Sequence, residues 1–348
     1  MTQSGCSDKP TPLTAEPAPL NAAAAQASAP DPFAPIVQRS ASGLEATWIA
    51  HGAHLVSVRL PDGTPVLAGF SEPRLYADDH PYVGSLIGRT ANRIRGAAFE
   101  VDGQAVSVAA TEGANALHGG PDGFDAQVWE VDRDGEALMF RHTSPAGHQG
   151  YPGNLDVLVR AELDVRELRL SLIAWTDAPT PVNLTQHGYW NPTGLFIQPV
   201  DGLVLQSPAD RVVAVDAALL PTGGTPSVER SPFDFRQARP IGAAPLDATL
   251  LVPGEGLREM ASLTDGTRTL TLLSDYPGFQ IYTGEALGTM DGFVARGGLA
   301  LEPQYAPDAV NRPVDGQDTI LRPGEVYRHN IVYRFDGLGF EAEETEAP

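Results

Sequence analysis

The chain has 348 residues, of which 42% are hydrophobic, enough for two ordinary domains or for one large β-structure. The formal net charge of −21 disfavours nucleic acid and anionic membranes as partners, because the electrostatic term that dominates such binding would be repulsive. No apolar run approaches the ~20 residues that a membrane-spanning helix requires. The single cysteine, Cys6, allows no intramolecular disulfide and no cysteine-based metal site.

Residues 1–35 are rich in Ala, Pro, Ser and Thr and poor in aromatic and branched side chains. Such a composition cannot offset the entropy of ordering, so it predicts a flexible N-terminal segment. Within it, the sequence Ser4-Gly5-Cys6-Ser7 resembles the end of a bacterial lipoprotein signal, although the apolar region that should precede it is missing. Two compartments of a bacterium therefore stay open, the cytoplasm and, with a trimmed signal, the periplasm.

Residues 36–338 carry strand-like periodicity and predict one all-β domain of many antiparallel strands. Asp-Gly pairs recur between several of the apolar runs, which is a strong hairpin signal, and scattered Gly and Pro residues disfavour long helices. The acidic residues 339–348 predict a short disordered tail. The clearest strand patterns lie at Leu55–Leu60, Leu168–Leu172, Thr269–Leu272 and Ile331–Phe335.

Two distant segments, Asn183–Asn191 and Leu301–Asp308, each place an ionisable side chain at the end of a predicted strand. These side chains are His187 and Glu302, which together can act as a general acid/base pair near neutral pH. Burial at the end of a strand is expected to raise the pKa of Glu302 toward the working range. The residues alone also allow structural roles, such as a turn-capping carboxylate and a core histidine.

The aromatic residues that follow His187 suggest the class of ligand. Tyr189 and Trp190 are expected to form an apolar platform beside polar neighbours, as a sugar with one apolar face requires. His51 and His54 have ligand-like spacing, but no carboxylate partner is evident for them, so we expect both at the surface.

Four further segments extend the pattern. Together with the two above they resemble, in order and spacing over residues 45–335, the motifs of the aldose 1-epimerase (mutarotase) family. This resemblance implies a large antiparallel β-sandwich of the galactose mutarotase type, also called a supersandwich. The four segments are Gly88–Ile94 (GRTANRI), Asn115–Gly120 (NALHGG) with Gly123-Phe124-Asp125 after it, Gly150–Leu155 (GYPGNL) and Pro277–Thr283 (PGFQIYT).

The resemblance also implies roles for individual residues. Glu302 would be the base and His187 the acid, while Arg89 would brace its loop through an ion pair. The family's Asp-His pair matches Asp247 only in part, because Ala248 stands where the histidine is usual. The residues that the resemblance implies for sugar binding are His118, Arg93, Asn92, Asp247 and Gln280.

The activity implied is the interconversion of α and β anomers of free aldoses, namely hexoses such as glucose or galactose, with pentoses as a further option. Neither a metal nor a cofactor is expected, and the expected partner is a monosaccharide, with the chain acting as a monomer or a homodimer. Three alternatives stay open: a non-catalytic carbohydrate-binding protein, a polysaccharide lyase or hydrolase of related shape, and a protein acting on a sugar phosphate. The last would need additional Arg or Lys side chains near the site to hold the phosphate.

Overall fold

The computed structural model of the chain describes residues 30–337 and 340. Within these residues the chain forms 25 β-strands and six short 3-10 helices, and none of its helices has the length and apolar character needed to cross a membrane. The 3-10 helices cover Pro73–Ala77, Arg95–Ala97, Phe124–Ala126, His148–Gly150, Val200–Gly202 and Glu285–Thr289. The strands are β1 (Ile36–Arg39), β2 (Glu45–Trp48), β3 (Leu55–Arg59), β4 (Ser85–Ile87), β5 (Arg93–Ile94), β6 (Ala98–Val101), β7 (Gln104–Ser107), β8 (Ala116–Leu117), β9 (Glu130–Asp134), β10 (Ala137–Ser144), β11 (Leu155–Leu163), β12 (Glu167–Thr176), β13 (Thr180–Pro181), β14 (Thr185–His187), β15 (Tyr189–Trp190), β16 (Val204–Gln206), β17 (Arg211–Val212), β18 (Arg239–Pro240), β19 (Asp247–Leu251), β20 (Arg258–Thr264), β21 (Arg268–Ser274), β22 (Gly278–Tyr282), β23 (Leu299–Pro303), β24 (Ile320–Leu321) and β25 (Tyr327–Gly337).

Two large sheets organise these strands. The nine-stranded sheet has the order β18-β16-β20-β21-β25-β12-β11-β10-β9, and the five-stranded sheet has the order β15-β23-β22-β19-β17. Smaller sheets combine β1-β2-β3, β13-β24, β14-β4, β5-β8 and β6-β7. Neighbouring strands in both large sheets run antiparallel, so the predicted antiparallel all-β fold is confirmed.

The hydrophobic core joins one face of each large sheet. Along β12 the side chains of Leu168, Leu170 and Leu172 are buried, and they alternate with more exposed residues because successive side chains of a strand point to opposite faces. They belong to the same core cluster as Leu250 and Phe279 of the five-stranded sheet. Burial of this apolar surface is the main force that holds the two sheets face to face.

The other face of the five-stranded sheet carries polar residues. On β23, Leu299 and Leu301 lie in the core cluster, so the alternation turns Glu302 to the opposite face. The register pairs Gln280 of β22 with Glu302, and Thr249 of β19 with Gln280. The strand pattern therefore aligns three polar side chains in a row across this face of the sheet.

Parts of the predicted domain organisation fall beyond what the structure describes. The strands lie between Ile36 and Gly337, inside the predicted domain over residues 36–338. Residues 1–29, including Cys6, and residues 338, 339 and 341–348 are outside the described residues. The flexible N-terminal segment, the acidic tail and the compartment therefore stay predictions.

Candidate active site

Antiparallel pairing brings Glu302 and His187 together. Tyr189 of β15 pairs with Ala300 of β23, and extending this register by two residues along each strand places His187 opposite Glu302. The Nε2 atom of His187 lies 3.6 Å from the Oε1 atom of Glu302. The two residues that the sequence analysis singled out thus form one pair, at the polar face of the five-stranded sheet.

Burial sets the protonation of this pair. Glu302 is 2% exposed and His187 is 5% exposed. Burial, followed by the nearby charge of Asp247, raises the pKa of Glu302 well above its usual value, while burial lowers the pKa of His187 to about 3. Burial therefore favours a protonated carboxyl over an imidazolium, so a proton held by the pair rests on Glu302 rather than on His187. Within the described part of the chain, Oε2 of Glu302 and Nδ1 of His187 are buried without a hydrogen-bond partner.

A second imidazole, His118, faces His187 with a ring-centroid distance of 5.4 Å. The backbone N–H of Asn92 donates to Nδ1 of His118 over 3.3 Å, which leaves Nε2 as the protonated nitrogen of the neutral ring. Burial lowers the pKa of His118 well below its usual value, so the ring is a neutral donor at pH 7. Gly119 follows at φ +91°, and a Cβ atom there would lie 1.9 Å from the carbonyl oxygen of Gly88, so only glycine allows this approach.

Arg93 is the cation beside these groups. It lies on β5, which pairs with β8 and so brings Arg93 next to the loop of His118. Its Nε and Nη2 atoms donate to the two carboxylate oxygens of Glu112 over 2.5 and 2.7 Å, while the backbone N–H of Arg93 donates to Oδ1 of Asn92 over 2.9 Å. Glu112 was missed in the sequence analysis, since a carboxylate near a turn carries no distinguishing signal.

Arg89 has a structural setting, but the predicted ion pair is wrong. Arg89 is 2% exposed, and its guanidinium makes five hydrogen bonds, all to uncharged oxygen atoms. The acceptors are the hydroxyl and carbonyl oxygens of Ser144, the carbonyl oxygens of Pro145 and Pro152, and the hydroxyl of Thr180. Burial lowers the pKa of Arg89 to about 10.

Asp247, Gln280 and Thr249 form a chain of side-chain hydrogen bonds. The Nε2 amide of Gln280 donates to Oδ1 of Asp247, and the hydroxyl of Thr249 donates to Oε1 of Gln280 over 2.6 Å. Burial raises the pKa of Asp247. Thr249 was missed, although its spacing of two residues from Asp247 along one strand was a usable signal.

The aromatic platform predicted from Tyr189 and Trp190 is wrong. Trp190 is fully buried, with its ring centroid 4.4 Å from that of Tyr333 in the core, because neighbouring residues of a strand face opposite sides. Tyr189 does contact His187, but it is 1% exposed and its hydroxyl donates to the carbonyl oxygen of Pro81 over 3.0 Å. The ring of Tyr82, which the sequence analysis missed, contacts both His118 and His187.

The surface placement predicted for His54 is also wrong. His54 is fully buried, and its two ring nitrogens lie 2.7 Å from the carbonyl oxygen of His51 and 2.9 Å from the hydroxyl of Ser85. Its ring also packs against Tyr76. Among the residues that the structure describes, no group of three or more His, Cys, Asp or Glu side chains is arranged to hold a metal ion.

Chemically, the arrangement combines an acid/base pair with donors for hydroxyl groups. Glu302 and His187 can hold and pass a proton, a neutral imidazole donates from His118, and a guanidinium and amides lie beside them. Such a set can remove a proton from one oxygen atom and deliver one to another oxygen atom close by.

Comparison with known proteins places this site in context. The family model described as aldose 1-epimerase matches residues 36–334. An aldose 1-epimerase of Escherichia coli (strain K12) is 35% identical over 341 residues, which covers 89% of this chain and 97% of that protein. The galactose mutarotase of Homo sapiens is 34% identical over 307 residues, covering 82% of this chain and 90% of that protein.

Solved structures show the same fold. The structure of an aldose epimerase homologue from C. elegans superposes with a TM-score of 0.81 at 27% identity, covering 87% of this chain and 99% of that one. A galactose 1-epimerase from Lactobacillus acidophilus gives a TM-score of 0.79 at 27% identity and covers 87% of this chain and 94% of that one. The predicted β-sandwich of the galactose mutarotase type is thus confirmed.

Proposed function

The chain belongs to the aldose 1-epimerase family, and we propose that it interconverts the α and β anomers of free aldoses by means of Glu302 and His187. The observation that carries this proposal is the distance of 3.6 Å between Nε2 of His187 and Oε1 of Glu302. Both side chains are buried, so a proton held by one can be passed on without exchange with bulk water. The substrates we propose are hexoses such as glucose and galactose, with pentoses included.

The reaction needs two proton transfers around one carbon atom. In ring opening, Glu302 as carboxylate accepts the proton of the C1 hydroxyl, the C1–O5 bond breaks, and His187 as imidazolium delivers a proton to O5. The product is the open-chain aldehyde, with the protonated carboxyl of Glu302 and neutral His187. After rotation about the C1–C2 bond, the same two groups run in reverse and close the ring on the opposite face of C1.

The geometry of the pair suits this reaction. O1 and O5 are bonded to the same carbon atom, so the groups that serve them have to lie close together, as His187 and Glu302 do. A cycle of one donation and one acceptance requires one proton on the pair, which the raised pKa of Glu302 favours on its carboxyl group. Transfer of this proton from Glu302 to His187 generates the carboxylate and imidazolium with which ring opening begins.

The remaining residues are proposed to hold the sugar hydroxyls. His118 offers its Nε2–H beside the catalytic pair, and Arg93 retains Nη1 in addition to the two nitrogens bound by Glu112. Asn92 uses its Oδ1 atom locally, which leaves its amide nitrogen for a ligand. Asp247 and Gln280 lie on the face of the sheet that carries Glu302 and are hydrogen-bonded to each other. Asp247 is proposed to accept from sugar hydroxyls and Gln280 to donate to them.

A sugar phosphate suits this site less well than a free sugar. Arg89 is buried in hydrogen bonds, Arg93 is paired with Glu112, and Arg95 is paired with Asp216. These three arginines are therefore engaged, and the carboxylates beside Arg93 and Arg95 would repel a phosphate group. Because His187 and Glu302 lie together, a purely binding role without catalysis is also less well supported.

Further properties follow as proposals. We propose that a monosaccharide is the partner of this chain, that nucleic acid is not, given the net charge of −21, and that the chain acts as a monomer or a homodimer. The compartment is proposed to be the bacterial cytoplasm or periplasm. The oligomeric state can be measured by sedimentation of the full chain.

Polarimetry on freshly dissolved α-D-glucose, α-D-galactose and α-D-xylose tests the proposed activity. We expect the wild-type chain to accelerate mutarotation well above the buffer rate. Glu302→Gln and His187→Asn should each lower kcat by about 10²- to 10⁴-fold, the range for loss of one general acid or base. Wild-type rates equal to buffer, or variants with unchanged kcat, would contradict the proposal.

Two controls make the result specific. Glu45→Gln removes a carboxylate that pairs with Arg39 at the surface, and it should leave kcat unchanged. Calorimetric titration of the inactive Glu302→Gln variant with galactose separates catalysis from binding. Sugar binding by a wild-type chain that does not accelerate mutarotation would identify a binding protein instead.

A further inference from the structure

Tyr82 lies against both histidines of the site. Its ring centroid is 4.5 Å from that of His118 and 5.9 Å from that of His187. These two histidines come from different segments, one beside β8 and the other on β14, so Tyr82 closes a cluster of three rings at the place where the segments meet.

The backbone fixes Tyr82 in this position. Its φ angle is +55°, in the left-handed region that a bulky residue adopts at a cost on the order of 1 to 2 kcal/mol. The turn around it is attached to the catalytic strand, because the N–H of Gly84 donates to the carbonyl oxygen of His187 over 2.9 Å. The hydroxyl of Tyr189 donates to the carbonyl oxygen of Pro81, the residue before Tyr82, over 3.0 Å.

The hydroxyl of Tyr82 is available to a ligand. The residue is only partly buried, and within the described residues its hydroxyl makes no hydrogen bond. Burial, followed by the charges of Asp125, Asp79 and Glu112, raises the pKa of Tyr82 to about 12, whereas the charge of Arg93 lowers it. The hydroxyl therefore stays protonated at neutral pH and is a donor.

The other tyrosine that contacts His187 cannot take this role. Tyr189 is 1% exposed and its hydroxyl is bound to Pro81, so it has neither a free face nor a free donor. A sugar has both an apolar face of C–H groups, which packs against aromatic rings, and hydroxyl groups that need directional partners. Tyr82 offers both kinds of contact from one fixed position beside the catalytic pair.

We propose that Tyr82 binds the substrate, with its ring against the C–H face of the sugar and its hydroxyl donating to a sugar hydroxyl other than the one on C1. The proposal rests on the proposed function, because it takes His187 and His118 as the neighbours of the reacting atoms. Tyr82 would thereby help to determine which aldoses bind well. Aldoses differ in whether they carry the hydroxyl that Tyr82 contacts and in how that hydroxyl is oriented.

Two substitutions separate the ring from the hydroxyl. Tyr82→Leu removes the aromatic face and should raise KM about tenfold with a smaller change in kcat. Tyr82→Phe keeps the ring and should raise KM about three- to tenfold, the loss that follows from one hydrogen bond. Tyr305→Phe is the matched control, because the half-buried hydroxyl of Tyr305 bonds Nε2 of His329 and its loss should leave KM unchanged.

A comparison of monodeoxy glucoses locates the hydroxyl contact. KM is measured for the wild type and for Tyr82→Phe with 2-, 3-, 4- and 6-deoxyglucose. For one of these sugars the effect of Tyr82→Phe should vanish, because the partner hydroxyl is already missing. An equal effect on all four sugars, or a KM of folded Tyr82→Leu within twofold of wild type, would overturn the proposal.

A structural role for Tyr82 and a failure of the proposed function give different results. If Tyr82 only held the imidazoles in place, its variants would lower kcat and alter its pH profile equally for every sugar, which would also overturn the proposal. If the wild-type chain lacked mutarotase activity, the proposed function would fail. Calorimetric dissociation constants for the same deoxy sugars would still decide whether the hydroxyl of Tyr82 binds a sugar.

Discussion

Arg93 is fixed in position by Glu112. The two side chains form a bidentate pair, with Nε and Nη2 of Arg93 at 2.5 and 2.7 Å from the carboxylate oxygens. The fork of the guanidinium matches the carboxylate in shape, so this pair sets the direction of the third nitrogen, Nη1. The charge of Arg93 also acts on Glu302 and Asp247, where it lowers the pKa against the effect of burial.

Replacing Glu112 tests whether this fixed orientation serves sugar binding. In Glu112→Gln the charged bidentate pair is lost, so Arg93 has to be ordered by the sugar itself. We expect KM to rise roughly tenfold, the equivalent of one charge-assisted hydrogen bond, with kcat changed less. Steady-state polarimetry over a range of galactose concentrations measures both parameters.

A second ion pair provides the control for this substitution. Glu45 pairs with Arg39, and the Arg39 side chain is 70% exposed, so Glu45→Gln removes a similar contact at the surface. Its KM should equal that of the wild type. An unchanged KM in Glu112→Gln as well would show that Arg93 needs no fixed partner, or does not touch the sugar.

At the scale of elements, Arg89 connects three segments around the site. It belongs to the loop that leads to Asn92 and Arg93, and it donates to the segment of Ser144 and Pro145, to Pro152, and to Thr180. None of these segments forms part of the five-stranded sheet that carries Glu302. The loops of the site are therefore anchored by hydrogen bonds to one buried guanidinium.

Replacement of Arg89 should weaken the fold and the site together. Arg89→Met keeps much of the apolar stem but leaves several buried acceptors unsatisfied, so the free energy of unfolding should fall by about 3 kcal/mol or more. Urea denaturation followed by circular dichroism measures this loss. Arg230→Met is the control, because the Arg230 side chain is 91% exposed and its loss should change stability by less than about 0.5 kcal/mol. Equal stabilities of the two variants would contradict the anchoring role.

The strand elements were largely predictable from the sequence. The alternation at residues 168–172 and 331–335 predicted strands that the structure contains as β12 and β25, and the Asp102-Gly103 pair joins β6 to β7. The alternation of apolar and polar residues in a strand depends only on the local sequence and on which face is buried. It can therefore be recognised without knowledge of the fold. The same rule, applied to adjacent residues, would have separated Tyr189 from Trp190 and avoided the wrong platform.

The site was predictable only where its residues belong to motifs. The residues of the six segments could be named from the sequence, but the contact between Glu302 and His187 depends on the pairing of β15 with β23, which no local pattern specifies. The position of Tyr82 in the site depends on a left-handed backbone angle, and the contact of Glu112 with Arg93 depends on the pairing of β5 with β8. These are properties of tertiary structure that arise from long-range contacts.

At the scale of the whole molecule, burial changes how many protons the chain takes up or releases when it unfolds. Six of the eight histidines have a folded pKa below the ordinary value of 6.5, in each case chiefly through burial: His51, His54, His80, His118, His142 and His187. Among the described residues, three carboxyl groups have a raised pKa, again through burial: Asp125, at about 6, with Asp247 and Glu302. The histidines favour folding at high pH and the carboxyl groups favour it at low pH.

The histidines should prevail between pH 6.5 and pH 5, because they outnumber the carboxyl groups. Below pH 6.5 the unfolded chain takes up protons on six imidazoles whose pKa is lowered in the folded chain, and the three carboxyl groups with a raised pKa offset part of this uptake. Each proton taken up on unfolding makes the free energy of unfolding fall by about 1.4 kcal/mol per pH unit. Urea denaturation at pH 7.5, 6.0 and 5.0 measures this slope, and His54→Gln, which removes the fully buried imidazole, should reduce it by about one proton. A free energy of unfolding that stays constant or rises on acidification would contradict the prediction that the imidazoles prevail over the carboxyl groups.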